Sequence, residues 1–243
     1  MTIRDSRKTP AYFDAHIRFN ADAIHEFRAE LDQPSDDPRH RARLLHAIFR
    51  KELDQLVSLY SSGGSLAAMS TAYPRVITAL AEYQSEAGRA AHDFGQFDAY
   101  VFALWIFSLG ILLDVGDDQL VLAASELGNE GRDALFDRLV ALRLPRQTSA
   151  RELRYADPYE PLYEALDATG ERRTASILQF LAKYYDGMQS AYWHGSHLGD
   201  NLGYFGYWSF ELAAFVQELG IDDRSFTDNP FYPRDLVRQR ASR

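Results

Sequence analysis

Cysteine is missing from all 243 residues. That excludes disulfides, thiolate metal sites and cysteine nucleophiles, and it fits a reducing compartment. Long apolar runs are missing as well. The longest, Ala99 to Leu113, lies between Asp98 and Asp114 and has 15 residues, short of the roughly 20 that cross a bilayer. Residues 1–14 hold no apolar core of signal-peptide length, so neither a leader nor a membrane segment is expected and the place of action reads as cytoplasmic. Phosphate-cradling motifs are absent: there is no Gly-x-x-x-x-Gly-Lys-Ser/Thr run and no Gly-x-Gly-x-x-Gly after a strand. No Gly-x-Ser-x-Gly elbow occurs. Basic and aromatic residues do not interleave into a nucleic-acid surface, so a nucleic-acid partner is not expected.

What is present is a globular composition, 46% hydrophobic, 13% aromatic and 25% charged. The length suits one large domain or two closely packed halves. Charge is distributed unevenly. Residues 1–90 carry 12 Lys+Arg against 12 Asp+Glu, whereas residues 91–243 carry 14 against 23. The formal charge of −9 therefore belongs to the later part of the chain. Such a field repels nucleic acid and speeds encounter with basic partners.

Apolar residues recur at helical spacing. Leu45, Phe49, Leu53, Leu56 and Tyr60 share one face of a helix over about 38–60, with Asp37 as N-cap, Pro38 in its first turn and Gly63-Gly64 as its stop. Further helices are expected over about 10–31, 65–88 with a kink or division at Pro74, 96–113, from a cap at Asp117 or Asp118 to Gly128, and 131–143. Asp157-Pro158-Tyr159-Glu160 reads as a capping-box variant opening the next helix. Helices over 171–186 and 204–219 follow, the latter capped by Gly220, with a short last helix after Pro233. No stretch alternates long enough to require a strand. The fold class is all-α, an antiparallel multi-helix bundle of about eight to ten helices. The polar connector 146–156 suggests an N-terminal helical domain over 1–145 and a C-terminal one over 146–243, packed together as one compact unit.

Three groups of residues invite a chemical reading. His194, His197 and Asp200 lie within seven residues, but at i, i+3, i+6 and beside Gly195 and Gly199. Helical metal ligands favour i, i+4, so the loop reads better as structural, with its imidazoles bonded to backbone or tyrosine hydroxyls. Glu211 sits one turn from Trp208 and one from Phe215, bordering an apolar face. It is either a general base or, more simply, a buried acid in a structural network. Asp114, Asp117 and Asp118 lack the ligand count of a calcium loop and read as caps and an acidic surface. The paired aromatics Tyr184-Tyr185, Tyr204-Phe205 and Tyr207-Trp208, with Trp193, are spaced to fill the core.

The C-terminal third carries a distinctive string. Tyr207, Trp208, Phe210 and Glu211, within residues 206–214, lead to Leu219-Gly220-Ile221-Asp222-Asp223 and then to Asp228-Asn229-Pro230-Phe231-Tyr232-Pro233-Arg234-Asp235-Leu236. Over about residues 180–236 this resembles the C-terminal domain of the PoNi family, the immunity proteins of PoNe-type polymorphic DNase toxins. Arg4-Asp5 followed by Tyr12-Phe13 is compatible with that family's N-terminal helical domain. The resemblance implies a helical protein without catalytic residues; no cofactor or metal is expected. Its partner would be a nuclease toxin of restriction-endonuclease-like class, delivered by type VI secretion or a related system.

Resemblance and charge point the same way. A nuclease needs a basic DNA cleft, and an acidic protein can fill it. Asp114, Asp117, Asp118, Asp157, Glu160, Glu164, Asp222 and Asp223 are the candidate partner-binding residues. Two alternatives stay open: a metal-dependent hydrolase using His194, His197, Asp200 and Glu211, and a helical adaptor or regulator. A homodimer through exposed apolar faces is also open, though no heptad seam demands one.

Overall fold

The computed structural model describes residues 3–88 and 91–238, in which the chain is all-α. Ten α-helices run in order: α1 (Pro10–Glu30), α2 (His40–Ser61), α3 (Leu66–Ala87), α4 (Phe97–Leu112), α5 (Asp117–Leu127), α6 (Ala134–Ala141), α7 (Ala156–Asp167), α8 (Gly170–Gly187), α9 (Phe210–Leu219) and α10 (Arg234–Arg238). The chain divides into two compact units. One comprises Met1–His92 with Gly195–Gly206, the other Asp93–His194 with Tyr207–Arg243.

In the first unit, α2 packs against both α1 and α3. Each of these neighbours starts at a hydroxyl cap, Thr9 accepting from the Tyr12 N–H and Ser65 from the Ala68 N–H. The α2 face expected from periodicity is buried in full: Leu45, Phe49, Leu53, Leu56 and Tyr60. Its start differs from the sequence reading. Asp37 does not cap it; the carboxylate accepts from the Arg39 N–H at 2.8 Å, and α2 opens at His40. Pro74 lies within α3 without dividing it, so the apolar face of that helix outweighs the loss of one backbone donor. A polar knot sits between α1 and α2, where Ser58 Oγ lies 2.8 Å from His16 Nδ1 and Asn20 Nδ2 lies 3.2 Å from the same nitrogen. Burial, aided by the Lys51 charge, pulls His16 down to about 4, keeping its ring neutral at ordinary pH.

The segment Gly195–Gly206 completes this unit through backbone groups. Tyr12 donates to the Asn201 carbonyl and accepts from the Tyr204 N–H, Lys8 Nζ donates to the Gly199 carbonyl, and Ser61 Oγ donates to the Phe205 carbonyl. Tyr204 also donates its hydroxyl to the buried Asp5.

The second unit is built on α4, every residue of which is buried from Ala99 onward, as its uninterrupted apolar run predicts. Helices α5, α6 and α9 pack around it, α7 pairs with α8, and α10 rests on α9. Residues 146–156 lie inside this unit, held by two buried carboxylates on the preceding helix. Asp133 accepts from the Phe136 N–H (2.7 Å), the Arg154 N–H (2.8 Å) and Tyr100 Oη (3.1 Å). Asp137 accepts from the Gly131 and Ala150 N–H groups and from Arg146.

Two helix starts in this unit differ from the sequence reading. Gly116 occupies the N-cap of α5, so Asp117 and Asp118 form its first turn rather than its cap. Asp157 has the extended geometry of an N-cap (φ −91°, ψ 121°) and the regular turns of α7 follow it, but among the described residues neither its carboxylate nor that of Glu160 bonds the backbone, so the expected capping box is not closed. The stretch expected to be helical over 204–219 also changes character. Helix α9 begins at Phe210, and residues 204–209 are non-helical and buried. Their backbone is satisfied from outside: Ser209 N–H donates to the Phe231 carbonyl and Tyr184 Oη to the Trp208 carbonyl. Gly206 adopts φ +127° within this stretch, a conformation open to glycine. Gly220 closes α9 in the left-handed conformation, as expected.

Candidate partner-binding surface

The second unit is the acidic one. It holds 14 Lys+Arg against 22 Asp+Glu, whereas the first holds 12 against 13. The eight candidate acids all belong to it, in three places with different surroundings.

The corner from α4 to α5 carries Asp114, Asp117 and Asp118, all exposed. Asp114 turns the chain with φ +52°, a conformation that aspartate tolerates better than most residues. Asp117 and Asp118 then meet the positive end of α5. Arg143, mostly buried, anchors this corner: its guanidinium lies 3.5 Å from Asp117, 3.8 Å from Glu218 and 3.9 Å from Asp114. One cation thus holds three carboxylates in place, and the group stays net negative. Asp118 forms no ion pair among the described residues.

Helix α7 offers Asp157, Glu160 and Glu164, exposed and without ion pairs among the described residues. Asp157 borders an open cleft of about 300 Å³, lined also by Phe97, Tyr155, Asp186 and Gln189.

The third place serves the fold. Asp222 is gripped by the Arg224 side chain and backbone, which pull it down to about 2. Asp223 accepts from Tyr232 Oη at 3.1 Å. Both acids tie down the turn after α9, which leaves less of their charge for a partner.

The aromatic motif forms the interior. Tyr207 packs between Trp193 and Tyr185 at 5.1 Å from each, and Phe210 meets Trp105 edge-on. Trp208 and Glu211 are buried with them. Burial pushes the Glu211 carboxyl up to about 8, against a weaker opposing effect of hydrogen bonds from its own backbone and Ser209.

The histidine loop is built by stacking. His194 stacks on Tyr185 at 4.3 Å, and His197 lies 6.1 Å from the Tyr204 ring. His194 belongs to the second unit, His197 and Asp200 to the first. Among the described residues no three His, Asp or Glu side chains converge as metal ligands would, so the donor set of the hydrolase alternative is not assembled. No helix among them is long and apolar enough to cross a membrane.

Sequence reasoning passed over two features of the α5 corner. Arg143 stands between Leu142 and Leu144 near a helix end, with no partner marked by spacing. Val121 and Leu122 are exposed, and this could have been read: Leu120, Ala123 and Leu127 define the buried stripe of α5, which leaves those two outside it.

Comparison with known proteins adds the following. Residues 4–125 match the family model for "PoNe immunity protein (PoNi), N-terminal", and residues 131–236 match "PoNe immunity proteins (PoNi), C-terminal". The fold resembles that in the crystal structure of protein PA2201 from Pseudomonas aeruginosa. The TM-score is 0.74 at 19% sequence identity, over 99% of this chain and 92% of that one. No curated protein matches.

Proposed function

The chain belongs to the PoNe immunity protein (PoNi) family, and from that premise we propose that it binds a cognate PoNe nuclease toxin and neutralises it without catalysis by occluding the toxin's DNA site. Family membership over nearly the whole chain carries the first half of this reading. The acidity of the second unit supports the second half. A nuclease attracts the phosphate backbone with Lys and Arg, and a unit whose formal charge is negative by eight competes for the same groups. The acids of the α5 corner and of α7, Asp114, Asp117, Asp118, Asp157, Glu160 and Glu164, are the proposed contacts; Asp222 and Asp223 contribute mainly to the field. The reading extends to delivery of the toxin by a type VI or related secretion system and to a cytoplasmic place of action, where a DNase meets the chromosome.

A plasmid-cleavage assay tests it. The toxin encoded beside this chain's gene should linearise or degrade plasmid alone and fail to do so with one equivalent of this chain. Inhibition should weaken as salt rises, because exposed charges are screened. Undiminished cleavage at saturating chain would refute the reading.

A further inference from the structure

Resting on that reading, we infer that the outer face of α5 is the anchor of the interface, and that its occupant is a basic face of the toxin bearing a shallow apolar depression. Helix α5 turns Leu120, Ala123 and Leu127 inward. Asp118, Val121, Leu122 and Ser125 fall at i, i+3, i+4 and i+7 and are all exposed. Val121 is 56% and Leu122 48% exposed, a neighbouring aliphatic pair on a helix whose core stripe is already filled.

The surrounding charge defines what can cover them. Residues 117–127 contain Asp117, Asp118 and Glu126 and no Lys or Arg. Asp114 and Glu218 join them through Arg143, whose guanidinium is shielded among these carboxylates. An apolar centre rimmed by one sign of charge has the anatomy of an interface core and its rim. A second copy of this chain would set carboxylates against carboxylates, which opposes self-association through this face. A partner lined with Lys and Arg satisfies the rim and buries the two aliphatics.

The test measures affinity and association rate of the full chain for a cleavage-dead form of the toxin encoded beside its gene. Val121→Gln with Leu122→Gln keeps good helix formers at both positions. The double variant should retain its melting temperature and bind roughly 100-fold more weakly. Asp118→Asn should slow association severalfold at low salt and not at high salt. A control variant on α1, Asp22→Asn with Glu26→Gln, removes two exposed carboxylates outside the proposed contacts and should bind within a few-fold of the parent. The inference is overturned if the double variant binds like the parent. It is also overturned if the parent self-associates and the double variant alone does not, which would make a second copy the occupant. Failure of the unmodified chain to bind the toxin would strike the immunity reading itself, a result read on the parent and so distinct from either.

Discussion

Glu211 shows how one residue couples the interior of the second unit to pH. It is wholly buried in the first turn of α9, with Ser209 Oγ 3.2 Å from Oε1 and no hydrogen bond to Oε2 among the described residues. Three buried tyrosines lie close enough to feel its charge, yet Tyr100 donates to Asp133, Tyr184 donates to the Trp208 carbonyl, and Tyr159 points to Met188 Sδ. Without their help the carboxyl is held protonated, up to about 8 against an ordinary 4.5. Below pH 4.5 both folded and unfolded chains are protonated and stability is insensitive to this group. Between about 4.5 and 8 the unfolded chain has released the proton that the folded chain keeps. Stability therefore falls as pH rises, by up to about 1.4 kcal/mol per pH unit for one proton. His16 acts in the opposite sense: held down at about 4, it contributes stability above its unfolded value of about 6.5 that is lost as pH falls toward 4. Comparing Glu211→Gln with the parent cancels the histidine. Urea unfolding should show the variant gaining on the parent as pH rises through that window and levelling off above it. A constant difference would mean that Glu211 does not titrate there. From the sequence, two side-chain neighbours made Glu211 suspect as a general base or a buried acid; complete burial and a single side-chain donor favour the buried acid.

At the scale of elements, what the sequence revealed depended on where each element's backbone bonds go. Helices that satisfy themselves were legible from periodicity alone. The buried face of α2 and the all-apolar α4 lie where the pattern puts them. The stretch 204–209 was not, because an apolar aromatic run reads the same in a helix and in a buried extended segment. Its hydrogen-bond partners, Ser61, Tyr184 and Phe231, lie 22 or more residues away in sequence. Connector 146–156 looked like a seam for a related reason: its polar backbone gives no local sign that Asp133 and Asp137 will bind it from inside the unit. Asp133 is the stronger case, accepting three hydrogen bonds while fully buried and capping α6 at the same time. Replacing it with alanine leaves the Phe136 and Arg154 N–H groups and Tyr100 Oη without an acceptor. We expect a loss of about 3 kcal/mol in chemical denaturation. A loss under about 1 kcal/mol would show that water or a neighbouring carbonyl replaces the carboxylate.

Across the whole molecule, family membership and charge carry different parts of the account. The family models cover residues 4–125 and 131–236, which identifies the kind of protein and its kind of partner. The aromatic string that carried the resemblance, Tyr207, Trp208 and Phe210 with Glu211, is buried and fills the interior. The surface must be argued from exposure and charge. On that basis the acids separate by what they bond: Asp222 pairs with Arg224 and Asp223 with Tyr232, Asp114 and Asp117 share Arg143, and Asp118, Asp157, Glu160 and Glu164 form no ion pair among the described residues. The sequence could count these acids but could not sort them, since the sorting depends on Arg143, Arg224 and Tyr232, none of which is marked by spacing. The central claim is that the acidic unit and DNA compete for one site on the toxin. The most direct measurement is displacement: a fluorescent duplex bound to cleavage-dead toxin, titrated with this chain and followed by anisotropy. The account predicts release of the duplex with a midpoint that shifts in proportion to duplex concentration. A ternary complex, with the duplex retained at saturating chain, would contradict occlusion.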